Sequence, residues 1–465
     1  MKKESMKNIS IKKNEQYIVD IIDNGFSGEG IAKIDGFTVF VPNAINGEKV
    51  KILIVKVLSS HAFGKIIEII EPSENRIEAD CNTYKRCGGC SLRHVNYEET
   101  LKMKQNAVQS LVDKTLKNKI VVEETLGMKN PYYYRNKVQF PVGVDKDGKP
   151  KMGVFANRTH DIVPIDNCFI QDKKAQQIAK RIFDFWIEHN ISVYNEDLKM
   201  GLLRHIIIKL GKNTNEYMCV LVINGKKIEK DFENKLVEYI IHEFPETDTV
   251  VLNSNMKNTN VILGDENKVI YGKGYITDIL GEYVFKISPS SFYQVNPIQA
   301  EKLYNIAVAE AGISKDDIVF DLYCGIGTIS IFMAKYAKKV YGVEIVEEAV
   351  KMAKENAVLN NIENVEFIDG DVEKVLKGLI YNKNLIPSVV VFDPPRKGLD
   401  GKSIRNILDI KPKKIVYISC NPSTLVRDLC EFETDYEITK IKPVDMFPFT
   451  SHVEVCALLE LKNCQ

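Results

Sequence analysis

VFDLYCGIGTIS, residues 319–330, predicts a buried strand that ends in a glycine-rich turn and leads into a helix. Glycines at such a turn let a ligand approach the backbone at the carboxyl end of the strand. Further apolar runs follow, separated by segments with helical periodicity, at residues 340–343, 365–368, 389–392 and 415–418. This alternation predicts an α/β fold with a parallel, doubly wound, Rossmann-like sheet that helices cover on both faces.

The residues around this turn indicate which ligand it binds. The dinucleotide fingerprint requires a third glycine where Ser330 stands, and a phosphate loop requires a Gly-Lys-Ser/Thr sequence that does not follow here. Glu344 ends the second strand, where a carboxylate can accept hydrogen bonds from both ribose hydroxyls, and Asp371 follows the third strand near the expected adenine. Acids without a phosphate cradle favour S-adenosylmethionine as the cofactor, with a dinucleotide as the alternative.

Two loops at the same edge of the predicted sheet carry reactive groups. The fourth strand ends in DPPR, residues 393–396, and the fifth ends in SCNP, residues 419–422. In an open parallel sheet both loops lie beside the cofactor crevice. A buried cysteine is often only a small apolar side chain, but Cys420 lies in a loop where a methyl group would be delivered. Its position and type favour a nucleophile.

The length of 465 residues corresponds to about three domains of ordinary size. Short β-like runs separated by Asn-Gly and Asp-Gly turns predict a small OB-like β-barrel in residues 1–72. Residues 73–295 mix strands and helices and predict a central α+β domain, with a helix at about 97–119 that we expect to pack on the last domain. Residues 296–465 form the predicted α/β domain.

Charge and composition narrow the class of protein. Lys plus Arg and Asp plus Glu both number 63, so any nucleic-acid footprint must be local, and residues 101–160 do carry a basic surplus. No run of about 18 apolar residues could span a bilayer, so we expect a cytoplasmic protein without a membrane partner. Ten cysteines in a reducing compartment predict free thiols, metal ligands or catalytic groups rather than disulfides.

Three of these cysteines form a group of candidate metal ligands after the barrel. Cys81, Cys87 and Cys90 lie within ten residues of one another. Structural zinc sites prefer two close pairs, whereas only Cys87 and Cys90 form such a pair here. With a fourth ligand far along the chain, the group predicts either an iron–sulfur cluster or a zinc ion.

These motifs together resemble those of the RNA uracil-5-methyltransferases, most closely the bacterial 23S ribosomal RNA members. The resemblance extends over nearly the whole chain. The segments that carry it are GFSGEG at 25–30, the three-cysteine group at 81–90, YRNK at 134–137, GLLRH at 201–205, SFYQVN at 291–296, DPPR at 393–396, SCNP at 419–422 and SHVE at 451–454. Each segment is short, but their combination is highly specific.

The resemblance implies a reaction and the residues that perform it. The substrate would be 23S ribosomal RNA, bound in part by the N-terminal barrel, which is called TRAM in that family, and we expect a monomer. Cys420 would add to carbon 6 of uracil, Glu454 would remove the proton from carbon 5, and Asp393 would orient the base. The implied cofactor contacts are Gln294, Tyr323, Thr328, Glu344, Asp371 and Asp393.

The resemblance also completes the metal site. It implies Cys168 as the fourth ligand, with Cys81, Cys87 and Cys90, of a four-iron, four-sulfur cluster with a structural role. Zinc stays the alternative, because tetrahedral thiolate sites suit both metals.

Other functions stay open at this point. RNA cytosine-5 methylation uses the same thiolate chemistry, although those enzymes commonly carry Pro-Cys or Thr-Cys where this chain has Ser-Cys. The uracil-5 enzymes that act on tRNA typically lack the barrel and the cysteine group. A non-catalytic RNA-binding scaffold would have lost at least one of Cys420, Glu454 and the cofactor acids.

Overall fold

The computed structural model describes residues 11–157, 159–382 and 385–462, so the ends of the first and last predicted domains lie outside the described residues. The N-terminal strands form one sheet in the order β1-β5-β6-β4-β3-β2. They are β1 (Gln16–Asp20), β2 (Asp23–Asn24), β3 (Gly30–Ile34), β4 (Phe37–Val41), β5 (Lys49–Val57) and β6 (His61–Glu71). Alternate side chains of β5, namely Val50, Ile52 and Ile54, are buried in the core that the sheet encloses.

The central part is a mixed sheet with helices on one face. Its elements are α1 (Tyr97–Thr115), β7 (Lys137–Val144), β8 (Pro150–Met152), β9 (Val154–Phe155), β10 (Ile162–Val163), α2 (Lys173–Glu188), β11 (Leu203–Leu210), β12 (Tyr217–Ile223), α3 (Lys230–Glu243), β13 (Thr247–Ser254) and β14 (Glu266–Gly272). The sheet order is β14-β13-β12-β11-β7-β8. Trp186 of α2 and Phe232 of α3 are buried against one face of β11 and β12.

The C-terminal part is a doubly wound sheet in the order β19-β18-β17-β20-β21-β23-β22. Its elements are the hairpin β15 (Ile276–Leu280) and β16 (Tyr283–Ile287), α4 (Pro297–Ala311), β17 (Ile318–Leu322), α5 (Thr328–Ala334), β18 (Lys339–Glu344), α6 (Glu347–Leu359), β19 (Val365–Asp369), α7 (Val372–Lys377) with a π-helical turn (Gly378–Asn382), β20 (Val389–Phe392), α8 (Gly401–Ile410), β21 (Lys414–Ser419), α9 (Pro422–Phe432), β22 (Tyr436–Val444) and β23 (Glu454–Leu461). The predicted α/β fold class is confirmed.

The order of the strands positions a crevice. Strand β17 pairs in parallel with β18 on one side and with β20 on the other, so the order reverses beside it. Ligands of open α/β sheets bind at the carboxyl ends of the strands at such a point. Phe320 and Val319 face opposite layers of the core, which explains why the strand is apolar on both sides.

Two elements that precede residue 296 pack on this sheet. Val108 and Val112 of α1 are buried in the same cluster as Leu429 and Phe432 of α9. The hairpin β15–β16 is held by α6, where the Asn356 side-chain oxygen accepts a hydrogen bond from a backbone N–H of the hairpin. Among the described helices, none has the length and apolar character needed to cross a bilayer.

Candidate active site and cysteine group

A cavity of about 760 Å³ lies at the carboxyl ends of the parallel strands. It is lined by every residue for which the sequence predicted a cofactor or catalytic role, namely Gln294, Tyr323, Thr328, Glu344, Asp371, Asp393, Cys420 and Glu454. The fold therefore brings these residues together, although their individual roles stay predictions.

The glycine-rich turn is shaped for close approach of a ligand. Gly325 and Gly327 have φ angles of 55° and 82°, and a Cβ atom on Gly327 would lie 2.6 Å from the ring of Phe367. Tyr323 adopts a φ of 67°, a strained conformation for a residue with a side chain. The Gly325 N–H donates to Glu344 Oε2 at 3.1 Å, so the acid that ends β18 also holds the turn.

Ser330 occupies the position where the dinucleotide fingerprint has its third glycine. Its hydroxyl donates a hydrogen bond to Oδ2 of Asp321, which is fully buried in β17. Burial raises the pKa of Asp321 to about 7, and the hydrogen bond from Ser330 opposes that rise. Ser330 is therefore committed to the strand below the turn rather than to a pyrophosphate.

The SCNP loop holds Cys420 between β21 and α9. The Asn421 side-chain oxygen accepts a hydrogen bond from the Ser423 N–H at 3.2 Å and caps α9, which has Pro422 in its first turn. The Asn421 side-chain amide donates to the Arg396 carbonyl at 3.0 Å. The two loops at this edge of the sheet are thus tied together, and Cys420 lies immediately before a helix N-terminus.

Glu454 lies beside Cys420 because of an antiparallel strand. Strand β23 begins at Glu454 and pairs with β21 so that Val455 is opposite Ser419. The Glu454 side chain is 2% exposed. Its carboxyl group makes no hydrogen bond to the part of the chain that the structure describes. A carboxyl group that is largely shielded from solvent, lines a cavity and lies next to a thiol is typical of a reaction centre.

The electrostatics of this end of the cavity favour neutral groups in the free protein. Burial raises the pKa of Cys420 to about 11; the charges of Glu454 and Asp393 add to the rise, and Arg396 opposes it. Burial and then Asp393 raise the pKa of Glu454 well above its usual value, again against Arg396. Burial, followed by the charge of Asp321, raises the pKa of Asp393 to about 7. These groups hold protons that a reaction can move.

The cavity is also lined by residues to which the sequence assigned no role, and three of these are informative. Arg396 is the cation that acts on both Cys420 and Glu454, although the sequence shows it only as part of DPPR. Tyr304 is 3% exposed on α4 and has the helical spacing of an ordinary core residue. Phe292 is 71% exposed at the cavity, and a single exposed aromatic residue has no distinguishing signal in a sequence.

The four cysteines predicted as metal ligands line one cavity of about 60 Å³; they are Cys81, Cys87, Cys90 and Cys168. Burial raises the pKa of Cys90 to about 12, and the charge of Cys168 adds to that rise. The Gly89 N–H donates to Cys87 Sγ at 3.2 Å. Over the described ranges, no three His, Cys, Asp or Glu side chains converge as ligands of a single metal ion.

The loop that carries these cysteines contacts the segment that leads into Glu454. The backbone N–H groups of Ser91 and Leu92 both donate to the Phe449 carbonyl at 3.0 Å. The Ser451 N–H donates to the Ser91 hydroxyl at 2.8 Å, and the Arg93 guanidinium lies 4.4 Å from the ring centre of Phe449. The cysteine loop therefore fixes the backbone just before the buried carboxyl group.

The sheet order, the glycine turn and the acid at the end of the second strand are typical of S-adenosylmethionine-dependent methyltransferases. Comparison with known proteins gives the particular family. Residues 96–462 match the model of the tRNA (uracil-5-)-methyltransferase family, and residues 12–67 match the TRAM domain. The chain belongs to this family: it is an RNA uracil-5-methyltransferase that uses S-adenosylmethionine, with an N-terminal TRAM domain.

Similar proteins are found at the level of sequence and structure. An uncharacterized RNA methyltransferase of Clostridium acetobutylicum is 47% identical over 97% of this chain and 98% of its own length. One from Staphylococcus aureus is 41% identical over 97% of this chain and 100% of its own. The crystal structure of Pyrococcus abyssi tRNA (uracil-54, C5)-methyltransferase in complex with S-adenosyl-L-homocysteine superposes with a TM-score of 0.77, at 26% identity, over 95% of this chain and 100% of that one.

Proposed function

We propose that the chain methylates carbon 5 of a uridine in 23S ribosomal RNA, as a cytoplasmic monomer, through a covalent bond between Cys420 and carbon 6 of the base. The observation that carries the mechanism is the Cys420 thiol beside the buried carboxyl group of Glu454 in the cofactor cavity. Ribosomal RNA as the substrate is supported by the motif resemblance and by the cysteine group.

The cavity suits S-adenosylmethionine in the chemistry of its lining. Gln294, Tyr323, Thr328, Glu344 and Asp371 would hold the cofactor, because they offer carboxyl, hydroxyl and amide groups around a close-approach turn and no phosphate cradle. When bound, the cofactor supplies an electrophilic methyl group to the reacting carbon. The buried Asp321 beneath the turn leaves Oδ1 without a partner in the described part of the chain.

The thiol makes carbon 5 reactive. Carbon 5 of uracil is a weak nucleophile, but addition of the Cys420 sulfur to carbon 6 moves the electron pair of the double bond onto carbon 5 and oxygen 4. The Cys420 thiol must lose its proton first. Because its pKa is raised in the free protein, we expect the thiolate to form when the substrate and the cofactor are bound. The N-terminus of α9 and the Arg396 side chain both favour the thiolate. Asp393 would accept a hydrogen bond from nitrogen 3 and orient the ring.

Glu454 would complete the reaction by removing the carbon 5 proton after methylation. The electron pair of the C–H bond then restores the double bond between carbons 5 and 6, and the sulfur leaves carbon 6 with its own pair. A carboxylate is usually a weak base for such a proton. The raised pKa of Glu454 makes it a stronger base once it is ionised.

RNA binding by the barrel is supported by its surface. A uracil inside a helix cannot reach a buried thiol, so the target must be single-stranded or flipped out. The barrel has an open groove lined by Phe63 between Lys56 and Lys65. The Phe63 ring lies 5.2 Å from the His61 ring. Lysines beside an aromatic face suit a nucleic-acid strand whose bases stack.

The proposed substrate predicts where the methyl group goes. Unmodified 23S ribosomal RNA and tRNA transcripts, in equal amounts, are incubated with the purified protein and S-adenosylmethionine labelled on the methyl group. We expect label to enter 5-methyluridine of 23S RNA at least ten times faster than it enters tRNA. A site that binds one RNA discriminates against another because the second RNA leaves some of its contacts unmade. In cells that lack the gene, the same 23S position should lose its methyl group and regain it with the wild-type chain.

A tRNA substrate is the second candidate, and one observation favours it. The similar Pyrococcus abyssi structure is that of a tRNA enzyme. The similarity covers 95% of this chain and therefore includes the N-terminal barrel. The presence of the barrel therefore does not by itself separate the two RNA classes. Label that enters tRNA in preference to 23S RNA would replace the proposed substrate while leaving the reaction chemistry intact.

We propose that Cys81, Cys87, Cys90 and Cys168 hold a four-iron, four-sulfur cluster. Four thiols around one cavity, with no histidine or carboxylate in its lining, suit such a cluster, as they would a structural zinc ion. Bound iron would accept the charge of thiolates that burial now disfavours. The cluster would be structural, since its loop fixes the backbone before Glu454.

The cluster proposal predicts a brown, iron-containing protein after anaerobic purification. Cys87→Ser should lose nearly all of the iron and lower the melting temperature by roughly 5 °C or more, because the metal joins distant chain segments. Cys430→Ser is the matched control, because Cys430 lies in α9 away from this cavity, and it should keep its iron. A colourless wild-type protein with one zinc per chain would contradict the proposal.

A further inference from the structure

Two lysines lie directly opposite each other on neighbouring strands of the central sheet. Lys209 of β11 is the cross-strand partner of Lys137 of β7. Lys209 is only 6% exposed. Like charges that face each other across an antiparallel pair are destabilising, and burial makes their repulsion stronger. The pair therefore lowers stability unless something between the lysines supplies negative charge.

Among the described residues, Glu348 is the one acid whose charge acts on Lys209, and it forms no ion pair with either lysine. The Lys209 ammonium donates hydrogen bonds to the carbonyls of Ser288 at 2.8 Å and Ser291 at 3.0 Å, which are neutral acceptors. The Lys137 ammonium makes no hydrogen bond or ion pair with any described residue. Burial lowers the pKa of Lys209 to about 7; the charge of Lys137 adds to the fall, and the charge of Glu348 opposes it.

In the described part of the chain, Lys137 and the cavity that it shares with Lys209 lack a neighbouring acidic side chain. Burial lowers the pKa of Lys137, and the charge of Arg135 adds to that fall. Both lysines line a cavity of about 60 Å³ that has no acidic residue in its lining. A single water requires roughly 10–15 Å³ of such space, so a small anion has room.

This cavity is connected to the reaction cavity through one chain segment. Ser291, Phe292 and Tyr293 line both cavities. The Asn136 side-chain amide donates to the Gln294 carbonyl at 3.0 Å, and Lys209 bonds the carbonyls at the start of the segment. An anion between the lysines would therefore lie next to the segment that bears the predicted cofactor contact Gln294.

We propose that Lys137 and Lys209 bind one phosphate of the substrate RNA backbone, close to the uridine that enters the reaction cavity. This inference rests on the proposed function for its ligand, because RNA is the polyanion that this enzyme must hold there. The phosphate supplies the missing negative charge, favours the protonated form of both lysines and fixes the segment from Ser288 to Gln294. Phosphate contacts of this kind set the register of a nucleic acid without reading its sequence.

Inorganic phosphate tests the site without RNA. The melting temperature of the anaerobically purified full chain is measured at pH 6.5 and constant ionic strength, with phosphate replacing chloride. Phosphate should raise it by about 2–4 °C in the wild type, because ligand binding to the folded state stabilises it. The rise should disappear in Lys137→Met and return in Lys137→Arg. Lys226→Met, which removes an exposed lysine of the same domain, is the matched control and should keep the rise. An equal rise in Lys137→Met, or none in the wild type, would overturn the site.

Modified RNA tests the ligand. Lys137→Met should weaken binding of the methylated RNA class about tenfold and lower the slope of log affinity against log salt by about 0.7, the value for one phosphate of a single strand. A neutral methylphosphonate is then placed at each linkage around the target uridine in turn. One linkage should weaken wild-type binding but leave Lys137→Met unaffected. If every linkage weakens both proteins equally, the lysines do not bind the backbone.

The two experiments separate this inference from the proposed function. The phosphate measurement needs neither methyl transfer nor the correct RNA class, so it can succeed where the assignment to 23S RNA fails. Conversely, normal methylation of 23S RNA with no phosphate effect and no coupled linkage would remove the lysine site and leave the proposed function standing.

Discussion

Replacing Cys420 by alanine should abolish methyl transfer, with a loss of roughly four orders of magnitude or more. Without the sulfur, carbon 5 of the uracil never gains the electron density that it needs to take a methyl group. Affinity for S-adenosylmethionine should stay within about threefold, because the acids and the glycine turn of the crevice are unchanged. Incorporation of labelled methyl groups into RNA and calorimetric cofactor binding measure the two effects separately.

Cys430→Ala is the control for general effects of losing a thiol. Cys430 lies on α9, outside the residues that line the reaction cavity, and its alanine variant should keep full activity. Cys324 provides the sharper alternative, because it is the other thiol that lines the cavity. Burial and the charges of Asp321 and Glu344 raise the pKa of Cys324 well above its usual value. No cation opposes that rise as Arg396 does for Cys420, which disfavours Cys324 as the nucleophile. A Cys420→Ala protein that still methylates RNA would contradict the assignment of Cys420.

The fold of the C-terminal part could be predicted because each of its parallel strands has a recognisable local sequence pattern. Apolar runs such as 318–322 and 389–392 are buried on both faces, so no helical or alternating pattern competes with them. Glu344 could be assigned to the cofactor from its place at the end of the second strand. The rules of parallel sheets are therefore sufficient to predict where the cofactor crevice lies.

The partnership of Cys420 with Glu454 could not be derived in the same way. It depends on β23 returning antiparallel beside β21, and no local pattern states which strand a C-terminal run will join. Only the family resemblance points to Glu454, because an acid in a β-like run usually faces water. The cross-strand pairing of Lys137 with Lys209 depends on register in the same manner. In both cases the feature is a buried ionisable group whose surroundings become known only with the fold.

Replacing Glu454 by glutamine should stop the reaction at a later point than Cys420→Ala. Glutamine nearly preserves the size of the side chain but cannot take a proton, so turnover should fall by roughly 10²- to 10⁴-fold. Addition to carbon 6 and methyl transfer precede that step, so methylated RNA should stay attached to Cys420. A denaturing gel of the variant with substrate RNA and S-adenosylmethionine should show a slower protein band.

The stability of Glu454→Gln relative to the wild type should depend on pH, which tests the raised pKa of Glu454 independently of activity. In the folded wild type the pKa of Glu454 is raised above its ordinary 4.5. As pH rises past the ordinary value, only the unfolded chain loses the proton, so each further pH unit up to the folded pKa costs about 1.4 kcal/mol of stability. Glu454→Gln should therefore be more stable than the wild type at pH 8 and match it near pH 4. Glu437→Gln, an exposed acid on β22, should show no such difference.

The covalent assignment for Glu454→Gln depends on which sulfur holds the RNA. The slower band should vanish in the double variant Cys420→Ala, Glu454→Gln, because the trapped species is bonded through that thiol. RNA with fluorine at carbon 5 of the target should trap the wild-type protein in the same way, since no base removes fluorine as a cation. A band that survives loss of Cys420 would assign the bond to another nucleophile, and methylation of the fluorinated RNA without any attachment would exclude the adduct altogether. Trapping by glutamine alone, with the pH 8 gain in stability, would identify Glu454 as the group that removes the carbon 5 proton.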